Sequence, residues 1–139
     1  MDRIKALAEY LGESVENLRN NGDNYFQVVD GYEYLVLTDG EADQMSQEYI
    51  EESLWAFDAG FILETCGLDS SSNVSRSLRK MQEESCEGCN DFIYALVDRT
   101  CGIDEFVNQA IIADGRGHFL SSYDGEEGGQ GEYFIYCIG

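Results

Sequence analysis

Two β-branched and aromatic runs, Tyr25-Phe26-Gln27-Val28-Val29 and Tyr32-Glu33-Tyr34-Leu35-Val36-Leu37, flank the dipeptide Asp30-Gly31. An Asp-Gly pair between two such runs is a strong short-range signal for an antiparallel hairpin. A hairpin is marginal in water by itself and needs further strands or helices against it. The other strand-like run, Tyr133-Phe134-Ile135-Tyr136-Cys137-Ile138, lies at the opposite end of the chain. The expected sheet therefore closes between the two ends of the sequence.

What lies between is helical in pattern. Ile4, Leu7, Ala8 and Leu11 keep helical spacing, and Ser14-Val15-Glu16-Asn17 opens a short turn that Asn20-Asn21-Gly22 closes. Thr38-Asp39-Gly40-Glu41 reads as a capping box ahead of a helix over residues 39–57. Projected at a helical period, Ala42, Tyr49, Ile50, Ser53, Leu54 and Phe57 share one face and Glu41, Glu48, Glu51 and Glu52 the other, with Trp55 beside the acids. Asp58 can cap a continuation to Cys66. Further helices are expected over residues 74–84, 91–100 and 103–113, the last two parted at Gly102. After Asp114 the pattern predicts a turn, a short strand at His118-Phe119-Leu120-Ser121, a loop over residues 124–129 and the terminal strand. The expectation is one α+β domain over residues 1–139, a small antiparallel sheet of three or four strands covered by several helices.

Charge narrows the function. Lys and Arg number 8 against 28 Asp and Glu, a net −20, so nucleic acid and anionic lipid are repelled while basic partners are attracted. Solubility alone needs a net charge of only about 2–8 in a small domain. With 43% hydrophobic residues the chain is nevertheless expected to fold rather than stay disordered. No apolar stretch reaches the length of a membrane span, and Met1-Asp2-Arg3-Ile4-Lys5 lacks a secretion signal, so a cytoplasmic location is expected. The five cysteines, Cys66, Cys86, Cys89, Cys101 and Cys137, accordingly read as reduced thiols.

Motifs for chemistry are sparse. Cys86-Glu87-Gly88-Cys89 has the spacing of half a zinc or redox site, but there is no second Cys-x-x-Cys and no His pair. Neither metal nor cofactor is expected. His118, the lone histidine, sits among Asp114, Arg116, Tyr123 and Asp124, with Glu126 and Glu127 following. That set is the candidate for a small enzyme or ligand-binding site, although a histidine without a nucleophile motif reads more readily as scaffold. There is no Gly-rich phosphate loop.

The acidic distribution carries the remaining signal. Between Asn20 and Ser75 there is no Lys or Arg but twelve Asp and Glu. Carboxylates one helical turn apart, such as Glu48 and Glu52, lie about 5–6 Å apart at Cβ, a spacing comparable to that of phosphates on a nucleic-acid strand.

Tyr34-Leu35-Val36-Leu37-Thr38-Asp39 with Glu41-Ala42-Asp43, Glu48-Tyr49-Ile50 and Ser53-Leu54-Trp55-Ala56-Phe57, together with the run from Asp114-Gly115-Arg116-Gly117-His118 to Glu126-Glu127, resemble small acidic proteins encoded by bacteriophages and mobile elements. The resemblance covers about a third of the chain and implies an origin, without catalytic or binding residues. By analogy of class it points to inhibitors of host defence, such as antirestriction and anti-CRISPR proteins, acting inside a bacterial host cell. The resulting expectation is an inhibitor rather than an enzyme. It would set Glu41, Glu48, Glu51, Glu52 and Asp58 against a basic nucleic-acid-binding surface of a host protein, with Trp55 as the desolvated anchor. The alternatives are the small enzyme or ligand-binding domain centred on Asp114, His118 and Asp124, or an acidic phage housekeeping protein.

Overall fold

The computed structural model describes residues 2–139 and shows an α+β fold with one antiparallel sheet. In chain order the elements are α1 (Arg3–Leu11), β1 (Leu18–Asn20), β2 (Tyr25–Val28), β3 (Glu33–Thr38), α2 (Asp39–Glu52), α3 (Ala59–Thr65), α4 (Ser72–Ser85), α5 (Asn90–Asp98), α6 (Ile103–Asp114), α7 (Arg116–Leu120), β4 (Gly128–Gln130) and β5 (Tyr133–Cys137). Turns of 3-10 helix lie at Val15–Asn17, Leu54–Ala56 and Cys86–Cys89. The chain divides into two compact units: Met1–Ser46 with Asp114–Gly139, and Gln47–Ala113.

The first unit holds the sheet, in the order β1-β2-β3-β5-β4. The hairpin forms as its sequence predicts, with Asp30 taking the left-handed conformation (φ 60°) and Phe26 opposite Tyr34. The terminal strand joins it, Val36 opposite Ile135. Period-two alternation then makes both faces apolar. Val36 and Ile135 pack with Leu7 and Ala8 of α1, whereas Leu35, Leu37 and Tyr136 pack with Ala42 of α2 and Leu120 of α7.

The sheet has five strands rather than three or four. The two additional ones, β1 and β4, are three-residue edges of polar or glycine-rich composition, too short and too weakly patterned to read as strands. His118 to Ser121 is a second departure, because Arg116–Leu120 is a turn of helix closed by the Ser121 amide on Gly117 O at 2.8 Å. Gly117 makes this possible. A Cβ there would lie 2.5 Å from Gly125 O and 2.7 Å from the Glu126 carbonyl carbon, so only glycine lets α7 lie against that loop.

The second unit is helical. Phe57, Phe61 and Phe106 form an aromatic cluster, Phe106 meeting the other two edge-on at centroid distances of 5.4 and 5.5 Å. The helix expected to reach residue 57 stops at Glu52, and distant side chains hold the break. Asn90 donates to Glu51 O (2.8 Å) and accepts from the Trp55 amide (3.1 Å), while Gln82 donates to Trp55 O (2.9 Å) and Phe57 O (2.7 Å). These bonds replace the ladder that a continuous helix would have supplied.

Candidate functional site

The first turn of α2 is built by the capping box that the sequence predicts. Glu41 accepts from the Thr38 amide at 2.8 Å and its own amide reaches the Thr38 hydroxyl at 3.3 Å. Glu41 also grips Arg3 with both oxygens (2.7 and 2.9 Å), and Arg3 in turn donates to Val36 O and lies over the Tyr133 ring. Those hydrogen bonds, from Arg3 first and then from the Thr38 amide, hold the Glu41 carboxyl below its ordinary range against the opposing effect of burial. Glu41 is thus a structural ion pair.

Asp39 and Asp43 are exposed, yet both accept from Arg116, at 2.8 and 2.9 Å. Arg116 is itself only 10% exposed; it also binds Glu127 at 2.8 Å and stacks over Phe134, centroid distance 4.6 Å. Burial works against its charge, but the bonds to Glu127 and Asp39 prevail and keep the guanidinium protonated. Glu127 further accepts from the Tyr136 hydroxyl, and burial together with that bond holds Tyr136 in its phenol form. The acidic run, which contains no base of its own, is therefore partly compensated at Asp39, Glu41 and Asp43 by two arginines distant in sequence.

Along the rest of α2 the charge remains outward. Glu48 and Glu52 are exposed one turn apart, and Glu51 is half-buried and accepts from Gln47. The face bearing Ala42, Ser46 and Ile50 is buried, while Tyr49, expected on that face, is 50% exposed. Trp55 is half-buried on the 3-10 turn. Asp58 is exposed and caps α3 by accepting the Phe61 amide at 3.0 Å. Trp55 and Asp58 both line an open cavity of about 290 Å³ whose wall also takes in Arg79 and Glu83.

The second set does not assemble around its histidine. His118 is exposed on α7, edge-on to its neighbour Phe119, and Asp114 is exposed at the end of α6. Asp124 bonds instead to the Glu126 amide (3.0 Å) and the Ser121 hydroxyl (2.8 Å), which lower its pKa in that order. Tyr123 pairs with Tyr32, hydroxyl to hydroxyl at 3.0 Å. Tyr123, Asp124 and Glu126 line one pocket, and Glu127 belongs to the Arg116 cluster.

Sequence reasoning missed Arg116 as the centre of that cluster, and missed Tyr10, Tyr32 and Tyr34 on the pocket wall. A sequence contains no local signal for pairs separated by 77 or 91 positions. Cys86 and Cys89 lie on one 3-10 turn, and all five thiols are free. Among the described residues no three His, Cys, Asp or Glu side chains gather as a metal site, and no helix is long and apolar enough to cross a membrane. No family model matches the chain, and neither a curated protein nor a solved structure matches it.

Proposed function

We propose that this chain is a protein-binding inhibitor whose acidic helix end occupies a basic nucleic-acid-binding surface. The fitting target is a host defence nuclease or a restriction or CRISPR effector met by a phage-encoded protein. The reading rests on one arrangement: Glu48 and Glu52 exposed one turn apart, followed by half-buried Trp55 and exposed Asp58, in a stretch with no Lys or Arg from residue 21 to 74. Carboxylates so placed offer a basic groove the charge pattern of a phosphate strand, and an aromatic side chain beside them supplies the area that rim charges do not. Glu41 anchors the helix from within and is excluded from the contact set.

Capture from bacterial lysate with duplex DNA as competitor tests this. Bound protein should be released by the DNA, and Glu48→Gln, Glu51→Gln and Glu52→Gln together should slow association without lowering the melting temperature. Trp55→Ala should speed dissociation by an amount equivalent to about 2 kcal/mol. Capture that neither DNA nor the triple variant weakens would overturn the reading.

A further inference from the structure

At the C-terminal end of α1 the sheet unit contains a cavity of about 180 Å³ walled by Tyr10, Tyr32, Tyr34 and Tyr123, with Asp124 and Glu126 at its edge. We propose that this pocket receives an arginine or lysine side chain presented by a protein partner, the phenol rings facing the cation and the two carboxylates matching its charge. Ring faces carry negative potential and attract a guanidinium or ammonium within about 6 Å of the centroid. Among the described residues no basic side chain lines the pocket. Its volume lies below the roughly 300–1,000 Å³ of sites for drug-sized ligands and suits a single side chain.

The same unit twice builds this combination with its own arginines. Arg3 lies over Tyr133 (5.2 Å) while bound to Glu41, and Arg116 lies over Phe134 (4.6 Å) while bound to Asp39, Asp43 and Glu127. The tyrosine pocket repeats the pairing of aromatic face and carboxylate with its opening to solvent. It is also held in shape. The Tyr32 and Tyr123 rings stand 4.7 Å apart and share a hydroxyl bond, and Asp124 is fixed by Ser121 and the Glu126 amide. The Tyr10 ring lies over Gly128, where a Cβ would come within 2.7 Å of Tyr10 Cε1, so the tyrosine needs that glycine beneath it. Tyr34, through burial, and Tyr123, through its bond to Tyr32, have raised pKa values, so the rings remain neutral phenols where Asp124 is ionised.

This inference is independent of the role proposed for α2. The whole protein, labelled with 15N, is titrated with Nα-acetyl-arginine amide and with the neutral isostere Nα-acetyl-citrulline amide. Saturable shifts should centre on Tyr10, Tyr32, Asp124 and Gly128, with citrulline at least tenfold weaker. Tyr123→Leu, which gives up only an exposed ring and its bond to Tyr32, and Asp124→Asn, which gives up a charge that the Glu126 amide and Ser121 favour, should lower the melting temperature slightly while leaving the protein folded, each weakening the arginine derivative at least fivefold. Gly128→Ala, which displaces the Tyr10 ring, should do the same. Equal binding of citrulline, shifts confined to the carboxylates of α2, or unchanged affinity in folded variants would refute the pocket. Free arginine binding tenfold more tightly than the capped residue would refute the side-chain source and assign the pocket to a small amine. Loss of shifts only in the α2 triple variant would tell against this inference and leave the proposed function standing.

Discussion

The two units are held by different physics. In the sheet unit, arginines are fixed by several partners each: Arg3 by Glu41, Val36 O and Tyr133, and Arg116 by Asp39, Asp43, Glu127 and Phe134. Within the helical unit the ion pair of Lys80 with Glu84 is stretched to 3.9 Å with both side chains mostly exposed. There, order comes from the Phe57, Phe61 and Phe106 cluster and from two amide side chains that bind backbone. A chain with net charge −20 works against its own repulsion. Where carboxylates crowd, as on the first turns of α2, a partly buried guanidinium holds them together, whereas Glu48 and Glu52 further along α2 stay exposed.

The largest effect is expected in the helical unit. Phe106→Ala removes a fully buried ring and should cost about 3–5 kcal/mol by urea denaturation, with little change between low and high salt. A strong salt dependence of that cost would show charge at work where the comparison puts packing.

Arg116→Met is the counterpart in the sheet unit. It removes the cation shared by three carboxylates and should cost about 3 kcal/mol, toward the low end because Asp39 and Asp43 remain in contact with water. Added salt should shrink this penalty by screening the repulsion left behind. A loss below that of Lys80→Ala, expected to be about 0.3 kcal/mol, would abolish the contrast.

Asn90→Ala leaves Glu51 O and the Trp55 amide without their partner and should cost about 2 kcal/mol. Faster amide exchange should appear around Trp55 first. Ser46→Ala should act in the opposite direction, stabilising by up to about 1 kcal/mol, because the Ser46 hydroxyl is buried without a hydrogen-bond partner among the described residues.

The smallest effect concerns acid. Because Glu41 has a lowered pKa in the folded protein, its contribution is present above the ordinary carboxylate pKa and is lost as pH falls through the folded value. Glu41→Gln should therefore lower stability at neutral pH by under about 1 kcal/mol, given its partial exposure, and the difference from the parent should vanish in acid. A gap that persists below the folded pKa would mean that the capping geometry matters more than the charge.

Some of this was legible in the chain itself. Asp30-Gly31 between its two apolar runs, the Thr38 and Glu41 capping box and the Asp58 cap are local signals, since a turn or a helix end is specified by residues three or four positions apart. The terminal strand was readable from its own apolar run. The same locality explains why β1, β4 and α7 were not: β1 and β4 are three-residue edges with no apolar run to mark them, and the five residues of α7 make little more than one helical turn. Of the candidate site residues, the sequence placed Glu48 and Glu52 outward as found, but could not show that Glu41 faces Arg3 or that Asp124 turns to Ser121.

Composition and periodicity by themselves determined the acidic character, the α+β class, the hairpin and the helix caps, because each depends on near neighbours or on simple totals. Only the tertiary structure decided which carboxylates are paired with arginine, where α2 ends and which tyrosines share a pocket. Arg116 with Asp39, Asn90 with Glu51 and Tyr32 with Tyr123 are 77, 39 and 91 positions apart, and pairs at such separations meet only once the sheet and helices have closed around them.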